Sequence, residues 1–167
     1  MYQDPKTIGS RDFTLRALYG TSLGTLQPEM QLRLAKAIMI IAAADGELSP
    51  PEWATLVGGF RAAQMPEAML EELARFDPHS AKLEDYLTSD YKHLKAPARV
   101  MLYTAIWISR ADGVYAAEER AMAARAAKIL GIDDDLLAAL ESHAEIEEAT
   151  AKARAALLFP DLRATNG

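Results

Sequence analysis

Four carboxylates stand in two matching pairs. Asp45 is followed directly by Gly46 and, seven residues on, by Glu52; Asp112 is followed by Gly113 and, seven residues on, by Glu119. Two carboxylates about 4 Å apart repel by roughly 4 kcal/mol at an effective dielectric of 20. If the four line one cleft, the cluster asks for a cation or for shared protons. An all-oxygen donor set favours Ca²⁺, Mg²⁺ or Mn²⁺, with Zn²⁺ a further candidate. The pattern is not an EF-hand, because Gly follows the Asp directly and does not come five residues later. Nor is it a ferritin-like di-iron site, because the sequence contains no Glu-x-x-His.

Each residue of the set also has a purely structural reading. Asp45 and Asp112 fall at the C-terminal ends of expected helices, where the macrodipole disfavours a carboxylate by roughly 0.3–1 kcal/mol. An Asx-turn, in which the side chain accepts from a following backbone N–H, would account for either one. Glu52 completes a capping box with Ser49. Glu119 has Ala116 where Ser49 stands, and Ala cannot accept the reciprocal bond. On this reading the acid persists where the cap does not. Glu47 and Glu118 have no acidic counterpart in the other pair and read as solvated.

The elements that position these residues come from an internal repeat. An offset of 67 carries Ala44-Asp45-Gly46 onto Ala111-Asp112-Gly113, Ile41 onto Ile108, Ala54 onto Ala121, Leu70 onto Leu137 and Leu73 onto Leu140, with no gap. Leu32, Ala35, Met39 and Ala42 recur at helical spacing, with Pro28 in a first turn and Gly46 as the stop. Ser49-Pro50-Pro51-Glu52 opens the next helix, flanked by Leu48 and Trp53 as a hydrophobic staple. It should run to about Ala63, with another helix from about Pro66 to Phe76. In the second unit helices are expected over Ala96–Arg110 and about Ala116–Leu130, the latter ending at Gly131. Asp133-Asp134-Asp135 brings negative charge to the start of the following helix, and a last helix is expected over Ile146–Leu158. Between the units, Leu83–Lys92 reads as helical after an Asp77-Pro78-His79-Ser80 turn; Asp12–Leu23 is a further candidate. The expected fold is all-α: one domain over residues 1–167, a compact bundle of about eight helices in two pseudo-symmetric repeats, about 29–76 and 96–143.

Composition agrees. Half of the 167 residues are hydrophobic and a quarter charged, as in a folded globular chain, and Ala recurs throughout. The absence of Cys excludes disulfides, thiolate zinc sites and cysteine nucleophiles, and suits a reducing compartment. A net charge of -6 argues against nucleic acid and anionic membrane as partners and for cations. The longest apolar run, Ala37 to Ala44, is far short of a membrane span, and no signal peptide is visible, so the expected location is cytoplasmic. His79, His93 and His143 lack metal-ligand spacing. Trp53 and Trp107 read as core or staple residues, and Lys92, Lys95 and Arg99 as a solvated face. No glycine-rich phosphate loop and no supported nucleophile–base pair is evident, so no catalytic residue is assigned.

A helix ending in Ala-Asp-Gly, then a helix start with Glu seven residues after the Asp, all repeated, resembles the tellurite-resistance TerB family and the TerB-like N-terminal domain of membrane-anchored DnaJ-like proteins. The resemblance covers roughly residues 29–143. It implies an all-α bundle with a metal-binding acidic site between its repeated units, and a place in stress-response or membrane-associated complexes rather than catalysis. By position, Asp45 and Glu52 match the first motif and Asp112 and Glu119 the second. The family's first motif often has two successive acids where this chain has Pro51-Glu52, and the J-domain His-Pro-Asp motif is absent. The expected function is therefore a divalent-metal-binding, non-catalytic interaction module with a protein partner, reaching a membrane only peripherally through that partner. The alternatives are a metal-free helical scaffold and, more remotely, a carboxylate-bridged metalloenzyme.

Overall fold

The computed structural model describes residues 9–20, 26–89, 91 and 94–160, and among these it is helical with no strand. Eight helices follow one another: α1 (Ser10–Tyr19), α2 (Pro28–Ala42), α3 (Pro50–Ala62), α4 (Glu67–Ala74), α5 (Leu83–Tyr86), α6 (Lys95–Ser109), α7 (Ala117–Leu130) and α8 (Asp134–Leu158). The all-α expectation holds.

The centre of the bundle is the pair α2 and α6, which pack on each other more extensively than any other two helices. From Ala37 to Ala42 every residue of α2 is buried. A helix that is apolar all round has to be surrounded, and here the other helices supply the cover. Ile41, Leu56, Leu73, Leu83, Leu102, Ile106 and Ile108 are fully buried in the shared core. On α7 the buried positions are mostly alanines, Ala123, Ala126 and Ala127, short enough to bring that helix close against the centre.

The chain keeps one register through both halves. α2, α3 and α4 begin at Pro28, Pro50 and Glu67; α6, α7 and α8 begin at Lys95, Ala117 and Asp134, each 67 residues later. The connecting turns follow the same path. Gly46 has φ 115° and Gly113 φ 92°, values that favour glycine. An added Cβ would meet no atom within 4 Å at either position, so the backbone angle and not crowding asks for Gly. The N-cap residues match as well, Ser49 at φ -61°, ψ 156° and Ala116 at φ -64°, ψ 155°.

Three expectations are corrected. The helix expected over Leu83–Lys92 is only the single turn α5. Leu87 leaves helical geometry for an extended backbone, φ -112° and ψ 123°, and enters the core at 1% exposure. Burial of that side chain outweighs continuation of a short helix; Lys92 and His93 lie outside the described residues. The helix expected to start at Asp133-Asp134-Asp135 and the last helix expected over Ile146–Leu158 are one, α8, which runs unbroken for 25 residues from Asp134. No Gly or Pro interrupts it, and Asp133 caps it by accepting from Leu136 N at 2.8 Å. The N-terminal candidate Asp12–Leu23 forms as α1 but stops at Gly20, whose φ of 71° closes the helix; the remainder of that stretch lies outside the described residues.

The two caps differ by one acceptor. Glu52 N donates to Ser49 Oγ at 3.5 Å, a long bond, whereas Ala116 offers nothing in the same backbone geometry. Ser49→Ala should therefore destabilise by about 0.5–1 kcal/mol, the lower part of the usual capping range. Ala116→Ser should be neutral or stabilising. Denaturant midpoints at an unchanged slope check this, and the reverse order would contradict it.

Candidate acidic centre

The two helix starts that carry Glu52 and Glu119 bring those side chains to the interior. Glu52 is 4% exposed and Glu119 2%. One oxygen of each has a structural partner: Glu52 Oε2 accepts from Ser49 N at 2.7 Å, and Glu119 Oε2 accepts from Ala116 N at 2.7 Å. This corrects the sequence reading of Glu119. The half of a capping box supplied by the Glu needs only the backbone N–H of the N-cap residue, so it survives with Ala at that position.

The two aspartates stand at the exposed rim of the same centre. Each closes an Asx-turn two residues long: Asp45 Oδ1 accepts from Glu47 N at 3.2 Å and Asp112 Oδ1 from Val114 N at 2.8 Å. The turn reading is thus correct for both, and it uses only one oxygen of each. Glu47 and Glu118 are exposed, as expected.

The halves meet crosswise. The Glu52 and Glu119 carboxyls are near enough to act on each other's protonation, although no hydrogen bond joins them. The charge of Asp112 acts on Glu52, and that of Asp45 acts on Glu119. Each glutamate therefore feels the aspartate of the other half. Burial raises the pKa of both glutamates, and the like charges add to it. The Glu119 carboxyl is pushed up to about 7, by burial first, against the opposing effect of its bond from Ala116 N and of the nearby Ser109 hydroxyl. Two buried carboxyls that act on each other do not both ionise readily, which favours retention of a proton on the pair.

No positive charge offsets this. Among the described residues, no Lys, Arg or His forms an ion pair with any of the four. The nearby Arg120 is engaged elsewhere, bonded to Glu141 at 3.1 Å and stacked 4.5 Å from the centroid of Tyr115. Of the three buried side-chain polar atoms without a hydrogen-bond partner among the described residues, two belong to this centre: Glu119 Oε1 and Ser109 Oγ. Ser109 was not singled out in the sequence. The signal available was a hydroxyl at the end of the apolar run Ala105–Ile108, at the position matched by Ala42 in the first half.

The chemistry of this donor set suits a hard divalent ion: oxygen only, buried negative charge, and an orphaned carboxylate oxygen facing inward. As the side chains stand, however, no group of three or more among the described residues is gathered tightly enough to hold an ion. Glu52 and Glu119 are together; Asp45 and Asp112 remain at the rim, tied by their turns. Of the histidines, His79 donates its backbone N–H to Asp77, and His143 pairs with Glu147 at 3.6 Å on α8.

Among the described residues the chain is an all-helical bundle with two Asp-Gly turns above two buried glutamates, the fold that the sequence resemblance implied. The chain is similar over 96% of its length to a tellurite resistance protein from Nostoc punctiforme, with 27% identity, a TM-score of 0.75 and 98% of that chain covered. The resemblance read from residues 29–143 thus extends over nearly the whole sequence. No protein-family model and no curated protein matches the chain.

A carboxyl whose pKa is raised on folding stabilises the native state below its unfolded value, near 4.5, and that contribution is lost as pH rises through the folded value. Each unit of such a rise is worth about 1.4 kcal/mol. In chelator, the denaturant midpoint should therefore fall between pH 5 and pH 8. Glu119→Gln keeps an acceptor for Ala116 N and a permanent donor toward Glu52, so it should flatten that fall and be the more stable protein at pH 8. Equal pH slopes for the two proteins would contradict the retained proton.

Proposed function

We propose that the chain is a non-catalytic helical module of the tellurite-resistance type whose acidic centre takes a divalent cation. The observation that carries this reading is the buried Glu52–Glu119 pair, without a cationic partner and bordered crosswise by Asp112 and Asp45. In the proposed bound state the glutamates contribute the oxygens that their caps leave over. Asp45 and Asp112 turn inward from the rim with the oxygens that their Asx-turns leave over. The ion then takes the place of the retained proton, so its apparent affinity rises with pH. Ca²⁺, Mg²⁺ and Mn²⁺ fit this oxygen set better than Zn²⁺.

We assign the cation a structural and recognition role. Both glutamates are bound to helix-start amides, so an ion between them links α3 to α7 and stiffens the junction of the halves. A protein partner fits the exposed apolar residues at the end of α8, Leu157, Leu158 and Phe159. Among the described residues no helix is long and apolar enough to cross a membrane, and we place the chain in the cytoplasm, reaching a membrane only through its partner. A second reading has its own support. A proton retained on the Glu52–Glu119 pair already relieves much of their repulsion, which favours a metal-free scaffold in which all four acids serve as caps and turns.

A cation that binds only the folded state stabilises by about 2.7 kcal/mol at 100 times its dissociation constant, which for a domain of this size is a rise in melting point of roughly 5–10 °C. At pH 8, at least one of Ca²⁺, Mg²⁺ or Mn²⁺ should produce that rise over a chelated sample. Asp112→Asn should lose most of it. Glu29→Gln, at the opposite end of α2 from the Asp45 turn, should keep it. If no ion shifts the melting point, or if wild type and Asp112→Asn respond alike, the metal-free scaffold is the correct reading.

A further inference from the structure

We propose that the half-open cavity bordered by α1, α2, α3 and α6 binds one small, uncharged, mostly apolar molecule that carries a hydroxyl group. The cavity holds about 320 Å³ and is walled by aliphatic side chains such as Leu15, Leu34, Ile38, Leu56 and Met101, with Phe60 and Trp107 as aromatic faces. That is roughly twice the ~150 Å³ apolar cavity known to stay dry and bind benzene, and it reaches the range of about 300–1,000 Å³ typical of ligand sites.

The two halves of the chain differ at this place. Thr55, Gly59 and Ala63 border the cavity along one face of α3. At the positions 67 residues later stand Met122, Ala126 and Leu130, of which Ala126 and Leu130 are buried in the core. The first half keeps small residues where the second has larger ones. At Gly59 an added Cβ would find nothing within 4 Å, so the glycine leaves open space that a side chain could fill.

The polar groups on the wall select the ligand. No Lys, Arg, His, Asp or Glu lines the cavity. An ion there would lose its hydration without a partner, which excludes a carboxylate or ammonium head. Thr104 Oγ1 donates to Val100 O at 2.7 Å, so in its 2.9 Å contact with the Tyr19 hydroxyl it is the acceptor and Tyr19 the donor. Tyr19 oxygen is left with lone pairs only. Burial also raises the pKa of Tyr19, which keeps its proton in place for Thr104. Gln31 spends an N–H on Leu26 O at 2.6 Å and has its amide oxygen as an acceptor. The wall therefore offers acceptors on Tyr19 and Gln31 beside donors on Thr55 and the second Gln31 N–H, and the neutral ligand group that can both donate and accept there is a hydroxyl.

The test uses the full chain and 1-octanol as the probe, read by tryptophan fluorescence and by melting point. Saturable binding with a raised melting point is expected. Octanoate at pH 8 should bind at least tenfold more weakly. Gly59→Leu should fold, lose at least tenfold in octanol affinity and melt no lower than wild type. Ala63→Leu, at the exposed end of α3, fills the same space should Gly59→Leu not fold, and is expected to lose affinity likewise. Tyr19→Phe should lose about 2–12-fold, the net worth of one hydrogen bond. The proposal is overturned if octanol does not saturate on wild type, if octanoate binds as well as octanol, or if a folded cavity-filling variant binds octanol like wild type.

Discussion

The proximity of Glu52 and Glu119 is the constraint around which the structure is arranged. Each glutamate sits in the first turn of its helix, where the macrodipole favours negative charge, and each accepts the backbone N–H of the N-cap residue three positions earlier, Ser49 or Ala116. Burial and mutual repulsion oppose those gains. The helix starts cannot retreat from each other without exposing α2 and α6, which form the core behind them. The favourable caps and the unfavourable charge are therefore held in one place, and something positive has to sit between them. A proton meets that need at low pH. In the proposed bound state a divalent cation takes that place once the carboxyls ionise and also engages the aspartates above.

Near-symmetry accounts for the centre, and departures from symmetry account for much else. Ser49 has Ala116 as its counterpart, and Ser109 has Ala42, so each half lacks a hydroxyl that the other has. The small face of α3 leaves a cavity where larger residues stand on α7. α4 ends at Ala74, whereas α8, which starts at the matching position, continues to Leu158. Its extension is held to α6 by the Tyr103 hydroxyl bonded to Glu147 and by Arg110 paired with Glu148 at 2.8 Å.

Much of the fold was legible because its signals are local. Gly131 marks a stop through its backbone angle, Gly46 and Gly113 mark the turns three residues past the C-caps of α2 and α6, which end earlier than the expected Gly46 stop, and Ser49 with Glu52 marks a start through a bond three residues long. The gapless register then placed equivalent helices without any tertiary information. What the sequence could not show is decided by contacts between distant residues. Leu87 leaves its helix because the core takes it, and α8 runs on past Ala144 because α6 supplies partners for it. Glu52 and Glu119 were named as part of the centre, but the sequence could not tell that they form its buried floor, nor that each faces the aspartate of the other half. The aspartates drew attention first because of their position at helix ends, yet the Asx-turns explain much of that position. The cavity left no sequence signal beyond Gly59 within α3.

The account rests on an ion lying between the two glutamates, and its location is directly observable. Crystals grown with Mn²⁺ above pH 7 and measured for anomalous scattering should show a peak between the Glu52 and Glu119 carboxyls, at the distances of about 2.0–2.6 Å usual for oxygen ligands of hard divalent ions. Asp45 and Asp112 should be drawn toward that peak. An ordered crystal with both glutamates resolved and no anomalous peak between them, or with Mn²⁺ bound only elsewhere on the surface, would contradict it.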